Sequence, residues 1–407
     1  VVVASLALAG PARAVDLSAT DVSLEVRAIP VAHLRRPGSP FSPAAALDGI
    51  GRDRGRGEVE LTVRHRGLTA DVSGRTTSLR DQRPLSEGVL NQLFYDTELL
   101  GAHLTAGKKV LSWDVGFGYR PLDVVQQEER RALAPFALEG VPLVALERFG
   151  AEDAWTLVYA NPLRGRAPKA RDDESGALRY FRRFGALDAH AMVRWSERTR
   201  LESGAAFTLV VGDALELHGS FLYQQRTERL VDALIDRPAG TLVASDPAVV
   251  RVEHDGLAGL VGATLTPGWN LSILAEAWLD PRASTRSEWR SMSRLAAAQR
   301  ALLDDPAISP DAVLGTLAFG ARFFDRPNLL RQNLLLRLSG KWERLEPSVD
   351  LLFTPEDRGW VATAAVAWVG EQSRVEAGAR AFGGPRDSAY GLYPERAILY
   401  AAWTLHF

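Results

Sequence analysis

The chain has 407 residues, with 48 Lys+Arg against 50 Asp+Glu, a formal net charge of −2, 46% hydrophobic residues and no cysteine. This balance excludes the basic excess of a nucleic-acid binder and the polarity of a disordered tail, and the missing thiols exclude a disulfide framework and any thiolate metal site. The length suits two or three soluble domains or one large barrel, so the pattern along the chain has to decide.

Residues 1–14 read VVVASLALAGPARA, an apolar run broken at Gly10-Pro11 and closed by the small-x-small triplet Ala12-Arg13-Ala14. This is the expected tail of a secretory signal peptide, with a mature chain from near Val15. A short N-terminal strand or core helix is the alternative. Beyond Ala14 no run approaches the roughly 18 uncharged apolar residues of a membrane-spanning helix. A periplasmic, secreted or outer-membrane barrel protein remains.

Period-two alternation then recurs along the chain. Segment 187–196 sets Leu187, Ala189, Ala191, Val193 and Trp195 against Asp188, His190, Met192, Arg194 and Ser196. Segments 57–66, 68–77, 201–211, 215–226, 269–280, 330–343, 346–353 and 372–382 follow the same rule. About 19 candidate strands are too many for one sandwich, and no Ser/Pro linker divides them. Trp195, Tyr223, Trp269, Trp342, Trp360 and Trp368 sit towards segment ends, where an interfacial aromatic girdle would place them.

Short connections at 66–67, 212–213 and 267–268 alternate with long polar ones at 34–56, 111–139, 162–175, 227–246 and 281–312. That asymmetry fits a barrel with tight turns at one end and long loops at the other. It is expected to fail after Asp280, where 326–328, 343–346 and 355–358 are all short. The charged stretch 162–175 reads as a solvated loop, with a ligand gate as the alternative. Within the last long connection, residues 286–304 carry Trp289, Met292, Leu295, Leu302 and Leu303 at helical spacing. An amphipathic helix is expected there, either capping the mouth or folding inward. At the C-terminus Leu405, Trp403, Ala401, Leu399 and Ala397 step back by two from Phe407. This resembles the closing strand of bacterial outer-membrane barrels, and the resemblance implies recognition by the barrel-assembly machinery. Both ends in the periplasm require an even strand number. The expected fold is therefore all-β, a single transmembrane antiparallel barrel over 15–407 with about 18 strands (16–20 allowed) and a helix in a long loop.

If the apolar set faces lipid, the other set lines the lumen. It contains Glu58, Glu60, Arg64, Asp71, Arg75, Lys109, Asp188, Arg194, Glu202, Glu216, Glu276, Arg322, Arg331, Arg337, Asp350, Arg374, Glu376 and Arg380. Mixed signs imply a hydrated interior or cross-strand ion pairs. Arg322, Arg331, Arg337, Lys341, Arg374 and Arg380 would make one wall basic and favour anions, unless Asp350 and Glu376 neutralise it.

Between Gly107 and Gly150, a basic strand is followed by Trp113-Asp114-x-Gly116-x-Gly118-Tyr119-Arg120-Pro121-Leu122-Asp123, a charged linker and a second strand beginning Gly140-Val141-Pro142-Leu143-Val144. This stretch resembles porin-like barrels of the alginate-export kind. The resemblance implies outer-membrane passage of a solute or polymer, with Trp113, Asp114, Tyr119, Arg120 and Asp123 as candidates on a loop folded into the pore. From the residues themselves, Gly116 and Gly118 allow close backbone packing. Arg120 and Asp123 are placed to pin the loop by an ion pair, and Trp113 to stack on a sugar.

No G-x-S-x-G elbow, H-E-x-x-H helix or complete phosphate loop occurs, and the seven histidines (33, 65, 103, 190, 218, 254, 406) form no metal-spaced pair. His190 and His218, on polar parity of different strands, carry the minor enzymatic alternative. The sequence thus points to a non-enzymatic outer-membrane channel of a Gram-negative bacterium, with no cofactor and no metal. Its partners would be the lipid bilayer, the assembly machinery and a periplasmic subunit, not nucleic acid. A plugged barrel acting as scaffold, partner platform or adhesin is the alternative.

Overall fold

The structure, a computed structural model, describes residues 20–45, 53–79, 83–161 and 173–407. The leader expected at 1–14 and most of the charged stretch 162–175 lie outside them. Among the described residues there are eighteen strands: β1 (Thr20–Arg35), β2 (Arg54–His65), β3 (Leu68–Leu79), β4 (Leu85–Leu99), β5 (Ala102–Lys109), β6 (Val141–Phe149), β7 (Asp153–Ala160), β8 (Ser175–Phe184), β9 (Leu187–Ser196), β10 (Arg200–Val211), β11 (Leu215–Asp232), β12 (Ala248–Leu265), β13 (Leu271–Leu279), β14 (Gln332–Gly340), β15 (Leu345–Thr354), β16 (Gly359–Val369), β17 (Ser373–Gly383) and β18 (Glu395–His406). Each pairs antiparallel with its chain neighbours, and β1 also pairs with β18, for example Val26 with Leu405 and Val31 with Tyr400. The sheet is a closed barrel, so no strand presents an unpaired edge.

The burial pattern is the reverse of that in a soluble protein. On β9 the apolar Val193 and Trp195 are exposed, whereas Arg194 on the opposite face is 1% exposed. On β14 Leu334, Leu336 and Leu338 are exposed while Asn333 is buried, and on β18 Leu399 and Trp403 face out while Tyr400 faces in. Such a sheet is stable only if hydrocarbon covers its outside. No helix among the described residues is long and apolar enough to cross a membrane.

The connections divide by end. Those at 66–67, 100–101, 150–152, 185–186, 212–214, 266–270, 341–344 and 370–372 are short; those at the other end include 36–53, 110–140, 161–174, 233–247, 280–331 and 384–394. β1 starts and β18 finishes at the short-turn end. Gly67, at φ +86°, serves one tight turn: a Cβ there would lie 2.3 Å from the Asp96 carbonyl oxygen. Trp269, Trp342, Trp368 and Trp403 stand exposed near the short-turn end, and Trp195 near the other.

Two expectations need correction. Residues 326–328 are not a turn between strands: 280–331 is one connection, holding α2 (Arg286–Ala301) and α3 (Pro310–Ala321). The loop asymmetry therefore continues past Asp280, with 355–358 as a short turn at the long-loop end. The interior is also less polar than alternation implies. Trp113, Leu122 and Val124 of the connection 110–140 are buried inside the barrel, against inward Leu222, Leu260, Trp278 and Leu335. Higher up, α2 and α3 pack with the short α1 (Ser42–Ala45) through Trp289, Met292, Leu317, Phe324 and Phe41. The helix expected at 286–304 thus folds inward with its apolar face and ends at Ala301, followed by a 3-10 turn over Leu302–Asp304.

Candidate functional site

The interior is organised by the connection 110–140, which leaves β5, runs across the lumen and returns to β6. Its first half is a self-bonded unit. Arg120 donates to the Asp123 carboxylate at 2.6 Å, to the Gly116 carbonyl at 2.9 Å, to the Asp114 carbonyl at 2.6 Å and to the Ser112 hydroxyl at 2.5 Å. Asp123 accepts the Trp113 and Asp114 backbone N–H groups at 2.8 and 3.0 Å, and Asp114 accepts that of Leu122. Burial pushes the Asp114 carboxyl above the usual aspartate range, against the pull of that Leu122 N–H. Trp113 is 6% exposed and packed in the core, so its ring offers no free face for sugar stacking. Tyr119 is likewise buried, stacked near Trp278 with ring centroids 6.2 Å apart.

The wall holds this unit through Glu276 of β13. Its carboxylate accepts the Phe117 and Gly118 backbone N–H groups at 2.7 and 2.6 Å and lies 3.0 Å from His218 Nε2. Gly118 is required by the approach: a Cβ would lie 2.8 Å from the Trp278 ring. On the other side a bulge in β4 leaves Asn91 unpaired and turned inward. Asn91 binds Asp71 and Ser73 and accepts from Arg75 at 2.9 Å; Arg75 in turn holds Glu58 and the Ala137 carbonyl.

The second half of the connection, 126–140, borders the open space. A cavity of about 840 Å3 occupies the short-turn half of the lumen, and one of about 320 Å3 lies towards the long loops. Arg131, Ala132, Leu133, Asp350, Thr363 and Arg380 line both and so form the boundary between them. Arg380 of β17 donates to Thr363 at 2.9 Å and to the Arg131 carbonyl at 2.6 Å. Arg131 donates to the Pro327 carbonyl and, at 2.9 Å, to Asn328, whose amide nitrogen donates to Asp280 at 2.9 Å. Among the described residues neither guanidinium has a carboxylate partner, whereas Arg337 is held to Asp350 at 2.9 Å and Arg374 to Glu346 and Glu376.

The lumen candidates are distributed as follows. Arg337, Asp350, Arg374, Glu376 and Arg380 line the larger cavity together. Glu276 and Arg75 face inward but anchor the connection. Arg194 is buried in a cluster with Asp173 and Glu202, and Lys109 lies over the Phe94 ring with Asp96 nearby. Arg64 with Asp21, and Glu216 near His218, stand at the short-turn rim. Glu60 meets Arg27, and the half-buried Asp188 meets Arg183. Arg331 precedes β14 and reaches Glu253. Arg322 is a correction: it follows α3, exposed to solvent and paired with Asp246, not on a strand wall. The basic wall of the larger cavity therefore holds Arg337, Lys341, Arg374 and Arg380; Asp350 and Glu376, expected to neutralise it, engage Arg337 and Arg374, and Glu346 engages Lys341. Arg131 and Asn328 were not singled out in the sequence; the only signal was the charged run Glu128-Glu129-Arg130-Arg131.

No protein-family model and no curated protein matches the chain. In structure it is similar to OccK5 (OpdH) of Pseudomonas aeruginosa, at 11% identity and TM-score 0.53 over 95% of this chain and 98% of that one. OccK3 (OpdO) of the same organism gives 11% and 0.53 over 95% of each chain, and OccAB1 of Acinetobacter baumannii 8% and 0.56 over 96% and 97%. The chain has the fold of the bacterial outer-membrane, porin-type β-barrel.

Proposed function

We propose that this barrel is a porin-like outer-membrane channel for small hydrophilic solutes, with a preference for anions. One observation carries the reading: the boundary shared by the two lumen cavities holds Arg131 and Arg380, neither of which makes an ion pair among the described residues, while the one carboxylate in that shared lining, Asp350, is held by Arg337. In a low-dielectric, narrow surround an unpaired guanidinium attracts anions and repels cations much more strongly than it would in bulk water. Polysaccharide export, implied by the resemblance of 107–150, asks for a bore that admits a polymer. Here the self-bonded loop and the α2–α3 pair fill much of the interior, which favours small solutes.

The plugged-scaffold reading draws on that same filling. Planar-bilayer recordings separate the two. The purified chain is expected to give discrete conductance steps and, in a KCl gradient, a reversal potential of the anion-selective sign; replacing both Arg131 and Arg380 with Gln is expected to bring the ratio close to that of free KCl. Absence of any conductance would favour the scaffold, and an unchanged ratio in the double variant would remove the arginine argument.

A further inference from the structure

Outside the lumen, the solvent face of α2 carries a row of cations that the fold does not use. Arg286, Arg290 and Arg294 recur at a spacing of four and line one wall of a surface cleft of about 810 Å3 at the long-loop end. Ser287 and Ser291 stand beside them, and Glu356 and Asp387 close the opposite wall. Among the described residues Arg286 and Arg290 make no ion pair or side-chain hydrogen bond, and Arg294 reaches only the Ser291 hydroxyl, at 3.3 Å. The helix's one carboxylate, Glu288, is already engaged by the Thr285 cap and by Arg229. Arg300, by contrast, is tied to the Ser39 carbonyl and is structural.

This arrangement opposes the helix's own stability. Like charges at i,i+4 repel, and cations in the first turns face the positive end of the helix dipole. Where a sequence breaks local rules without a compensating contact, a ligand is the natural compensation. Successive arginines lie about 6 Å apart along the axis, so the row spans about 12 Å. That matches a molecule with two or more anionic groups, each shared by neighbouring guanidinium groups, which favour phosphate oxygens through paired N–H donors. The facing carboxylates and the serine hydroxyls suit sugar hydroxyl groups.

We propose that the α2 cleft binds a multiply phosphorylated saccharide, from an outer-leaflet glycolipid or as a free phosphosugar at the mouth. The site lies apart from the boundary of the two cavities and does not depend on conduction. The test is calorimetric titration of a hexose bisphosphate into the full chain in neutral detergent at low salt, with inorganic phosphate as comparison. Wild type is expected to bind the bisphosphate at least tenfold more tightly than inorganic phosphate. Arg290→Gln, at an exposed position whose loss leaves folding intact by heat-modifiable mobility, is expected to weaken bisphosphate binding tenfold or more. Equal affinities for wild type and Arg290→Gln, or no bisphosphate binding at all, would overturn the site. Repeating the titration in nanodiscs containing rough lipopolysaccharide identifies the source: competition supports the glycolipid, and an undiminished affinity supports the free phosphosugar.

Discussion

The position of Arg131 at the boundary of the two cavities depends on a chain of three side chains that begins outside the strands. Asp280, just past β13, accepts from Asn328 and from the Arg282 backbone and guanidinium, and Asn328 orients Arg131. Burial works to raise the Asp280 carboxyl, but the Arg282 charge and these bonds overcome it and hold it below its ordinary value. A carboxylate with a depressed folded pKa contributes stability that is full above the unfolded value, roughly 3.9, and is lost as pH falls through the folded one. Asp280→Asn is therefore expected to cost about 1–3 kcal/mol at pH 7. The temperature at which the barrel loses its compact gel mobility should drop, and the gap to wild type should narrow only below about pH 4. A gap that is the same at pH 7 and pH 3 would show that the Asp280 charge does not matter. Strand parity found Arg337, Asp350, Arg374, Glu376 and Arg380 because a period of two fixes which way a strand residue points. It could not find Arg131 or Asn328, whose direction is set by the path of a connection and not by any repeat.

Connections are also where whole elements escaped the sequence reading. α2 was legible because Trp289, Met292 and Leu295 fall on one helical face and are buried. α3 was not, since Val313, Leu314, Leu317, Ala318 and Phe319 give it apolar residues on every side, and such a run does not distinguish helix from strand. The inward path of 110–140 was suggested by a motif, yet its anchors lie in a distant strand: the Glu276 carboxylate meets Phe117 and Gly118 from more than 150 residues away along the chain, at a separation of 159 and 158. Gly118→Ala tests that anchor. The added methyl would meet Trp278 and Leu335 within 3.0 Å, and Trp278 is held by Asn328 at 3.3 Å. The connection must then lift away from the wall and loosen its bonds to Glu276, at a cost of about 1–3 kcal/mol. Noisier single-channel current and faster proteolysis between 110 and 140 are expected, and quiet current with unchanged cleavage would show that the close approach is not required.

At the scale of the whole molecule, every feature rests on which face of the sheet meets hydrocarbon. The strand count and the period-two pattern were legible in the sequence because a barrel repeats one rule in each strand. Alternation alone, however, leaves open whether the apolar face covers a core or faces lipid. The structure decides this by closing β18 onto β1 and putting the ion pairs inside. Leu336, at the middle of β14, provides the sharpest test: it is 43% exposed, while its neighbour Arg337 points inward to Asp350. In a soluble sheet with this exposure, an arginine at 336 would be harmless. In a bilayer it must carry its charge into hydrocarbon, which costs about 2–4 kcal/mol near the midplane. Reversible urea unfolding from lipid vesicles is expected to show a loss of that size for Leu336→Arg, against less than about 1 kcal/mol for an arginine at an outward position near the interface such as Leu345. Equal, small losses at both positions would mean that no apolar layer surrounds the barrel, and the inverted parity would need another cause.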